Sequence, residues 1–343
     1  MLKPFLECLD ENIVVCDGAM GTQLYAKGVF LNRCFDELNL SHPSLVREVH
    51  QEYMWAGAEI LETNTFGANR IKLEPHGLAD RVGDINSAGV RIAKEVAGAS
   101  AYVGGSVGPL GIRIEPYGKM GLDEARAIFV EQIAALVEAG VDLLCLETFF
   151  DLNEIHAAIL AAKEVSSLPI MAQLTLEEDG NSLDGSPPET FGRQLESWGA
   201  DIIGANCGVG PQVMLESMER MATVVTRKLV AQPNAGKPRS FEGRNLYLSS
   251  PEYITSYARR FIRAGVRVVG GCCGTTPAHI KSIRSAVRAL RPVTGKTVAV
   301  LQADDQPAVE VIPTEQRSGL AQRILRKERV VLVDIVPPRG GDP

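Results

Sequence analysis

The chain has 343 residues, 45% of them hydrophobic and 22% charged, an ordinary globular composition with material for one large core or two domains. Its formal net charge of −7, with lysines and arginines scattered, gives no electrostatic footprint for nucleic acid or for an anionic membrane surface. No apolar run approaches the roughly 20 residues that span a bilayer, and the early acidic residues of "MLKPFLECLDEN" do not read as a secretory signal. A cytoplasmic protein is expected, in which seven cysteines read better as metal ligands or catalytic groups than as disulfides.

Short apolar runs rich in Val, Ile and Leu recur along the chain, beginning with "NIVVCDG" (12–18), "EILETNTF" (59–66) and "AYVGGSVGP" (101–109). A long loop, "LGIRIEPYGKMG" (110–121), follows, in which Tyr117 is read either as facing a second substrate or as part of an exposed lid. In "DEARAIFVEQIAALVEAG", Ala125, Ile128, Phe129, Ile133, Leu136 and Val137 share one helical face. The fourth run is "DLLCLET" (142–148), followed by "DLNE", whose spacing from Asp151 to Glu154 is that of a capping box. Four more runs complete the series: "PIMAQLTL" (169–176), "DIIGANCG" (201–208), "KLVAQPNAG" (228–236) and "RVVGGCCG" (267–274). Ser186, Ser250 and Thr276 each place an N-cap oxygen ahead of a proline at the first helical position. Eight near-continuous apolar strands alternating with helices predict a parallel sheet covered by helices, and roughly 280 residues match an α/β fold of the (β/α)8 TIM barrel type. A doubly wound open sheet is the alternative; "DGAMGT" after the first strand lacks its G-x-G-x-x-G spacing.

In such a barrel the chemistry gathers at the C-terminal ends of the strands. Those ends carry Asp17, Thr63 and Asn64, Ser106, Glu147, Gln173, Asn206 and Cys207, Asn234, and finally Cys272 and Cys273. Cys207 closes the sixth strand and the adjacent pair closes the eighth, so three thiols are expected at the mouth. Three thiolates around Zn2+ leave a fourth tetrahedral position open, which suits a substrate that is itself a thiolate. The pair also admits two other readings, a vicinal disulfide and an anion-binding nest leading into the helix at Pro277. Cys8, Cys16, Cys34 and Cys145 read as packing residues, and Asp17 and Glu147 have salt-bridged packing as their alternative. A Schiff-base barrel enzyme would need a lysine at a strand end; Lys72, Lys163 and Lys228 lie elsewhere, and only Lys237 is near one.

The motifs "DGAMGT", "TNTFGANR", Glu147–Thr148, "NCGVGP", "PNAG" and "GGCCGTTPAHI" together resemble the homocysteine S-methyltransferase family over residues 1 to 292. That resemblance implies a (β/α)8 barrel with zinc held by a catalytic set of Cys207, Cys272 and Cys273. It implies L-homocysteine held by Asp17, Glu147 and the backbone amides of Gly18, Ala19 and Met20, with Asn64 and Asn234 completing the substrate-binding set. The implied reaction is methyl transfer to the homocysteine thiolate, giving L-methionine. Methyltetrahydrofolate, methylcobalamin, S-methylmethionine and betaine all stand as methyl donors. The alternative is a non-catalytic zinc and amino-acid binding module that needs a partner domain. Residues 293–320 lose periodicity and read as a linker. Residues 321–343 restart with a helix and a strand, "VVLVDIV", and resemble the opening of a methylenetetrahydrofolate reductase domain, implying a fused reductase in a longer protein.

Overall fold

The structure is a computed structural model that describes residues 2–30, 32–241, 244–288, 290 and 318–330. It divides into two units, Met1–Ala299 and Val300–Pro343. The first contains eight parallel strands: β1 (Val14–Val15), β2 (Ile60–Glu62), β3 (Tyr102–Val107), β4 (Leu143–Phe149), β5 (Ile170–Leu174), β6 (Ile202–Asn206), β7 (Lys228–Gln232) and, after an antiparallel hairpin of β8 (Arg239–Phe241) and β9 (Arg244–Leu246), β10 (Val266–Val269). Their order is β1-β10-β7-β6-β5-β4-β3-β2. A parallel bridge between Cys16 and Ile60 joins the two ends, with Glu59 N donating to Val15 O at 2.7 Å and Asp17 N to Ile60 O at 3.1 Å. The sheet is therefore a (β/α)8 TIM barrel, as the strand–helix alternation predicts, and the open-sheet alternative is excluded.

Strand side chains alternate with a period of two, so every second residue points into the barrel. At the floor, Val14, Ile60, Tyr102, Leu143, Met171, Ile202, Val230 and Val268 contribute one apolar side chain from each strand, and Phe5 and Leu9 of the helix Phe5–Glu11 pack into the same cluster. The same inward positions nearer the strands' C-terminal ends become polar: Glu62, Ser106, Glu147, Asn206 and Gln232. A dry floor thus carries a polar mouth. The second, larger cluster lies between the barrel and its helices. The helix Leu122–Glu138 buries Ala125, Phe129, Ile133 and Leu136 there, with Ile128 and Val137 half-buried beside them, which is the face read from the sequence.

The helix starts agree at two of three prolines. Ser250 Oγ accepts from Tyr253 N at 3.3 Å, and at Thr276 the Nδ1 of His279 accepts from Thr276 N at 3.1 Å in a capping box. The expected cap at Ser186 does not form. Pro187 precedes a second proline, which disfavours a helical conformation for it; Pro187 stays extended (φ −72°, ψ 156°), and the helix begins one residue later, at Pro188–Trp198. The capping box at "DLNE" is also corrected: Asp151 Oδ1 accepts from Asn153 N at 2.7 Å, but Glu154 turns away and accepts from Leu110 N at 2.7 Å. In the second unit the described residues include a helix, Gly319–Leu325, with Arg323 and Glu328 paired at 3.0 Å. The linker reading for 293–317 and the strand reading at 331–336 fall outside the described residues.

Candidate active site

The strand ends open into one cavity of about 720 Å³. Gly18, Ala19, Met20, Glu62, Asn64, Glu147, Asn206, Cys207, Gln232, Cys272 and Cys273 are among its walls. Sequence separation in the hundreds is thereby converted to contact, because parallel strands return every chain crossing to the same end of the barrel.

The three cysteines converge. Their sulfurs all lie within 4.8 Å of one another, and Cys207 Sγ is 3.7 Å from Cys273 Sγ. Cys207 N–H donates to Gln232 O (3.1 Å), Cys272 N–H donates to Pro233 O (2.9 Å) and Ala235 N–H donates to Cys273 O (2.9 Å), so the segment after β7 holds both cysteine loops in place. Cys207 itself has φ of 56°, a left-handed conformation that an L side chain adopts only when its surroundings hold it there. Gly274, directly after the pair, has φ of 79°, and a Cβ there would lie 2.1 Å from the Tyr247 ring. Hydrogen bonds from the Cys272 and Cys273 thiols pull Cys207 down to about 3. The same bonds push Cys273 up to about 12 and Cys272 well above its ordinary value. In that arrangement one thiolate accepts from two thiols. Among the described residues all seven cysteines are free thiols, so the pair does not form a vicinal disulfide.

The donor set fits a tetrahedral soft metal. Sulfurs at about 2.3 Å from such an ion stand roughly 3.8 Å apart, and the Cys207–Cys273 separation is 3.7 Å. Asn234, buried beside this group, hydrogen-bonds to Cys207, and its Oδ1 has no partner among the described residues. It does not line the cavity.

Carboxylates occupy the adjoining wall. Glu147 Oε1 accepts from Ser106 Oγ at 2.5 Å and Glu147 Oε2 from Asn206 Nδ2 at 3.0 Å. The Asn206 amide also donates to Thr148 Oγ1 (2.8 Å) and Cys272 Sγ (3.8 Å), tying the carboxylate to the sulfur group. Asp17 is 2% exposed and accepts from Glu62 N at 3.1 Å; it sits behind the cavity wall. Burial raises Asp17 and Glu147 well above the carboxylate range, and burial with the neighbouring Asp17 pushes Glu62 up to about 8. Three buried acids facing one another favour a cationic ligand that would let them ionise. Glu62 was not singled out in the sequence; it follows Ile60 by two residues, and only the structure shows that Ile60 faces inward and so brings Glu62 to the mouth. Cys16, Asp17 and Glu62 form a second close group of ligand-type atoms below the mouth, where burial pushes the Cys16 thiol far up and leaves it protonated.

The loop after β1 is held from two sides. Ala19 N–H donates to Thr275 Oγ1 at 3.2 Å, and Tyr53 Oη–H donates to Ala19 O at 2.8 Å. A Cβ on Gly18 would lie 2.6 Å from that same Thr275 oxygen, so only glycine lets the loop approach. The Ala19 amide is engaged within the fold, which leaves Gly18 and Met20 as the loop's amides for a ligand. Asn64 lines the cavity, with its amide hydrogens directed to Phe35 O (2.7 Å) and Asn39 Oδ1 (3.1 Å). Tyr117 is 62% exposed and does not line the cavity; Pro109 and Gly111 of the preceding turn do. Lys237 pairs with Glu178 at 2.7 Å on the surface.

The fold and site together define a (β/α)8 barrel whose mouth joins three thiols that could hold a metal ion to a set of buried carboxylates. The sequence model of the homocysteine S-methyltransferase family matches residues 14–287, and the chain belongs to that family. The methionine synthase of Mycobacterium tuberculosis (strain ATCC 25618 / H37Rv) is 34% identical over 300 residues, covering 82% of this chain and 25% of its own length. That of Mycobacterium leprae (strain TN) is 33% identical over 300 residues with the same coverage. The chain thus spans about a quarter of the length of these relatives. Among solved structures, the homocysteine methyltransferase MmuM from Escherichia coli in its metallated form superposes with a TM-score of 0.71 at 26% identity, covering 82% of this chain and 99% of that one. No helix among the described residues is long and apolar enough to cross a membrane.

Proposed function

We propose that this chain transfers a methyl group to the thiolate of L-homocysteine, giving L-methionine, with Zn2+ held by Cys207, Cys272 and Cys273. The observation that carries this reading is the opening of the three sulfurs and the buried carboxylates into one cavity. A free thiol is mostly protonated at neutral pH, and a bound zinc ion would supply the Lewis acidity that keeps it a nucleophilic thiolate.

The chain's own residues place the rest of the substrate. Glu147 and Glu62, with Asp17 behind them, pair the ammonium group, and its charge allows acids that burial would otherwise protonate to ionise. The Gly18 and Met20 amides take the carboxylate. Asn206 fixes Glu147 relative to Cys272 and so sets the distance from ammonium to sulfur. The thioether product is a poorer donor than a thiolate and leaves. Methyltetrahydrofolate, methylcobalamin, S-methylmethionine and betaine all stand as donors. The domain reading forms part of the proposal: a barrel to residue 292, a linker over 293–320, and the start of a reductase-like domain at 321–343. One observation favours the second reading, a zinc and amino-acid binding module that needs a partner for turnover: relatives matched at 34% identity are about four times as long.

Metal analysis and a donor panel test the proposal. Wild type is expected to hold one zinc per chain and Cys272→Ser to lose most of it; wild-type stoichiometry in that variant would overturn the ligand set. Methyl transfer from at least one of the four donors supports the enzyme, whereas homocysteine binding without transfer from any of them supports the module.

A further inference from the structure

The cavity carries a charged group that the amino-acid half does not use. Lys72 lies on the short helix Arg70–Leu73, whose cap is Asn69, with Oδ1 accepting from Lys72 N at 3.0 Å. Its side chain runs along the cavity wall, and its ammonium sits 4.4 Å from the centre of the Phe66 ring. Two glycines leave room for the stem: a Cβ on Gly111 would lie 3.2 Å from Lys72 Cε, and one on Gly67 would lie 3.4 Å from Cδ. Among the described residues no carboxylate lies within ion-pair distance of its ammonium. Asp36, Glu154 and Glu147 are near enough to act on its charge, but each accepts from another donor, Asp36 from Gly67 N (2.9 Å), Glu154 from Leu110 N (2.7 Å) and Glu147 from Ser106 Oγ and Asn206 Nδ2. Arg33, also on the wall, is paired with Glu37 at 3.3 Å.

A mostly buried ammonium without an ion-pair partner, resting on an aromatic ring and facing a cavity, is arranged for an anionic ligand. Homocysteine leaves space for one. Its eight non-hydrogen atoms, each given roughly the 30 Å³ of a liquid water, occupy about 240 Å³, well under the cavity's 720 Å³. Its sulfur, ammonium and carboxylate are accounted for at the cysteines, the acids and the loop after β1. We infer that Lys72 is a specificity-determining residue that pairs with a carboxylate of the methyl donor, selecting carboxylate-bearing donors over those without one. The inference rests on the reading of this site as a homocysteine S-methyltransferase.

The test separates the two. Zinc-loaded protein is treated with trinitrobenzenesulfonate, and modification of Lys72 is followed by peptide mass spectrometry, which requires no turnover. At least one of methyltetrahydrofolate, S-methylmethionine and betaine is expected to slow modification several-fold, while trimethylsulfonium and homocysteine do not. Protection by homocysteine alone would place Lys72 in the amino-acid half, and protection by none of the three carboxylate donors would leave it without the proposed partner; either result overturns the inference. In the transfer assay, Lys72→Met should raise the KM of the protecting donor at least tenfold with homocysteine Kd changed less than twofold, and Lys72→Arg should recover part of that loss. An unchanged donor KM also overturns it. Failure of the underlying reading shows differently, as absent methyl transfer or zinc retained by Cys272→Ser.

Discussion

Glu147 receives hydrogen bonds from Ser106 and Asn206 and looks across at Glu62, so its charge is the feature a ligand would read. Glu147→Gln keeps the shape and both neighbours and removes that charge. Zinc content is expected to persist while calorimetry shows homocysteine affinity falling by about 2 to 3 kcal/mol, the size of a lost charge-assisted bond. The variant should also lose its preference for homocysteine over 4-mercaptobutyrate, which lacks the ammonium. Loss of zinc, or intact discrimination, would make Glu147 a packing residue. At this scale the sequence was legible where residue type is rare for its setting: acids and cysteines at the ends of apolar runs stand out. Glu62 did not, because "ETN" offered Thr63 and Asn64 as the strand end, and only the inward register shows which of the three faces the mouth.

Between elements, Glu154 connects the helix Leu152–Val165 to the turn after β3 through Leu110 N. Burial pushes its carboxyl from the ordinary 4.5 up to about 7. In the window between those values the folded chain holds a proton that the unfolded chain has released, so this group makes stability fall as pH rises from about 4.5 to 7. Glu154→Gln does not titrate and can still accept from Leu110. Urea unfolding is expected to give equal stabilities for variant and wild type near pH 4, with the variant ahead by at most about 3 kcal/mol at pH 8. A gap that does not grow with pH would refute this. The spacing of a capping box is legible in the sequence here, but it was outcompeted by a long-range amide that no local pattern reveals. At Ser186 the reverse held: the two prolines that shift the helix start are adjacent in the sequence, and their mutual restriction is a local rule.

For the whole molecule, the cavity walls named here all lie between Gly18 and Cys273, inside the unit Met1–Ala299. A chain ending at residue 299 is therefore expected to keep one zinc and a homocysteine Kd within twofold; loss of binding would show that later residues complete the site. The sequence by itself determined the eight-fold alternation, the parallel sheet and the placing of three thiols at strand ends, because hydrophobic periodicity and residue chemistry are local and each run reports on itself. Only the tertiary structure decided that β1 meets β2 to close the ring, that the sulfurs of Cys207 and Cys273 stand 3.7 Å apart, and that Glu62 and Lys72 face the same cavity. Those facts depend on register, twist and closure, which arise from pairings between segments tens to hundreds of residues apart and leave no mark on any one of them.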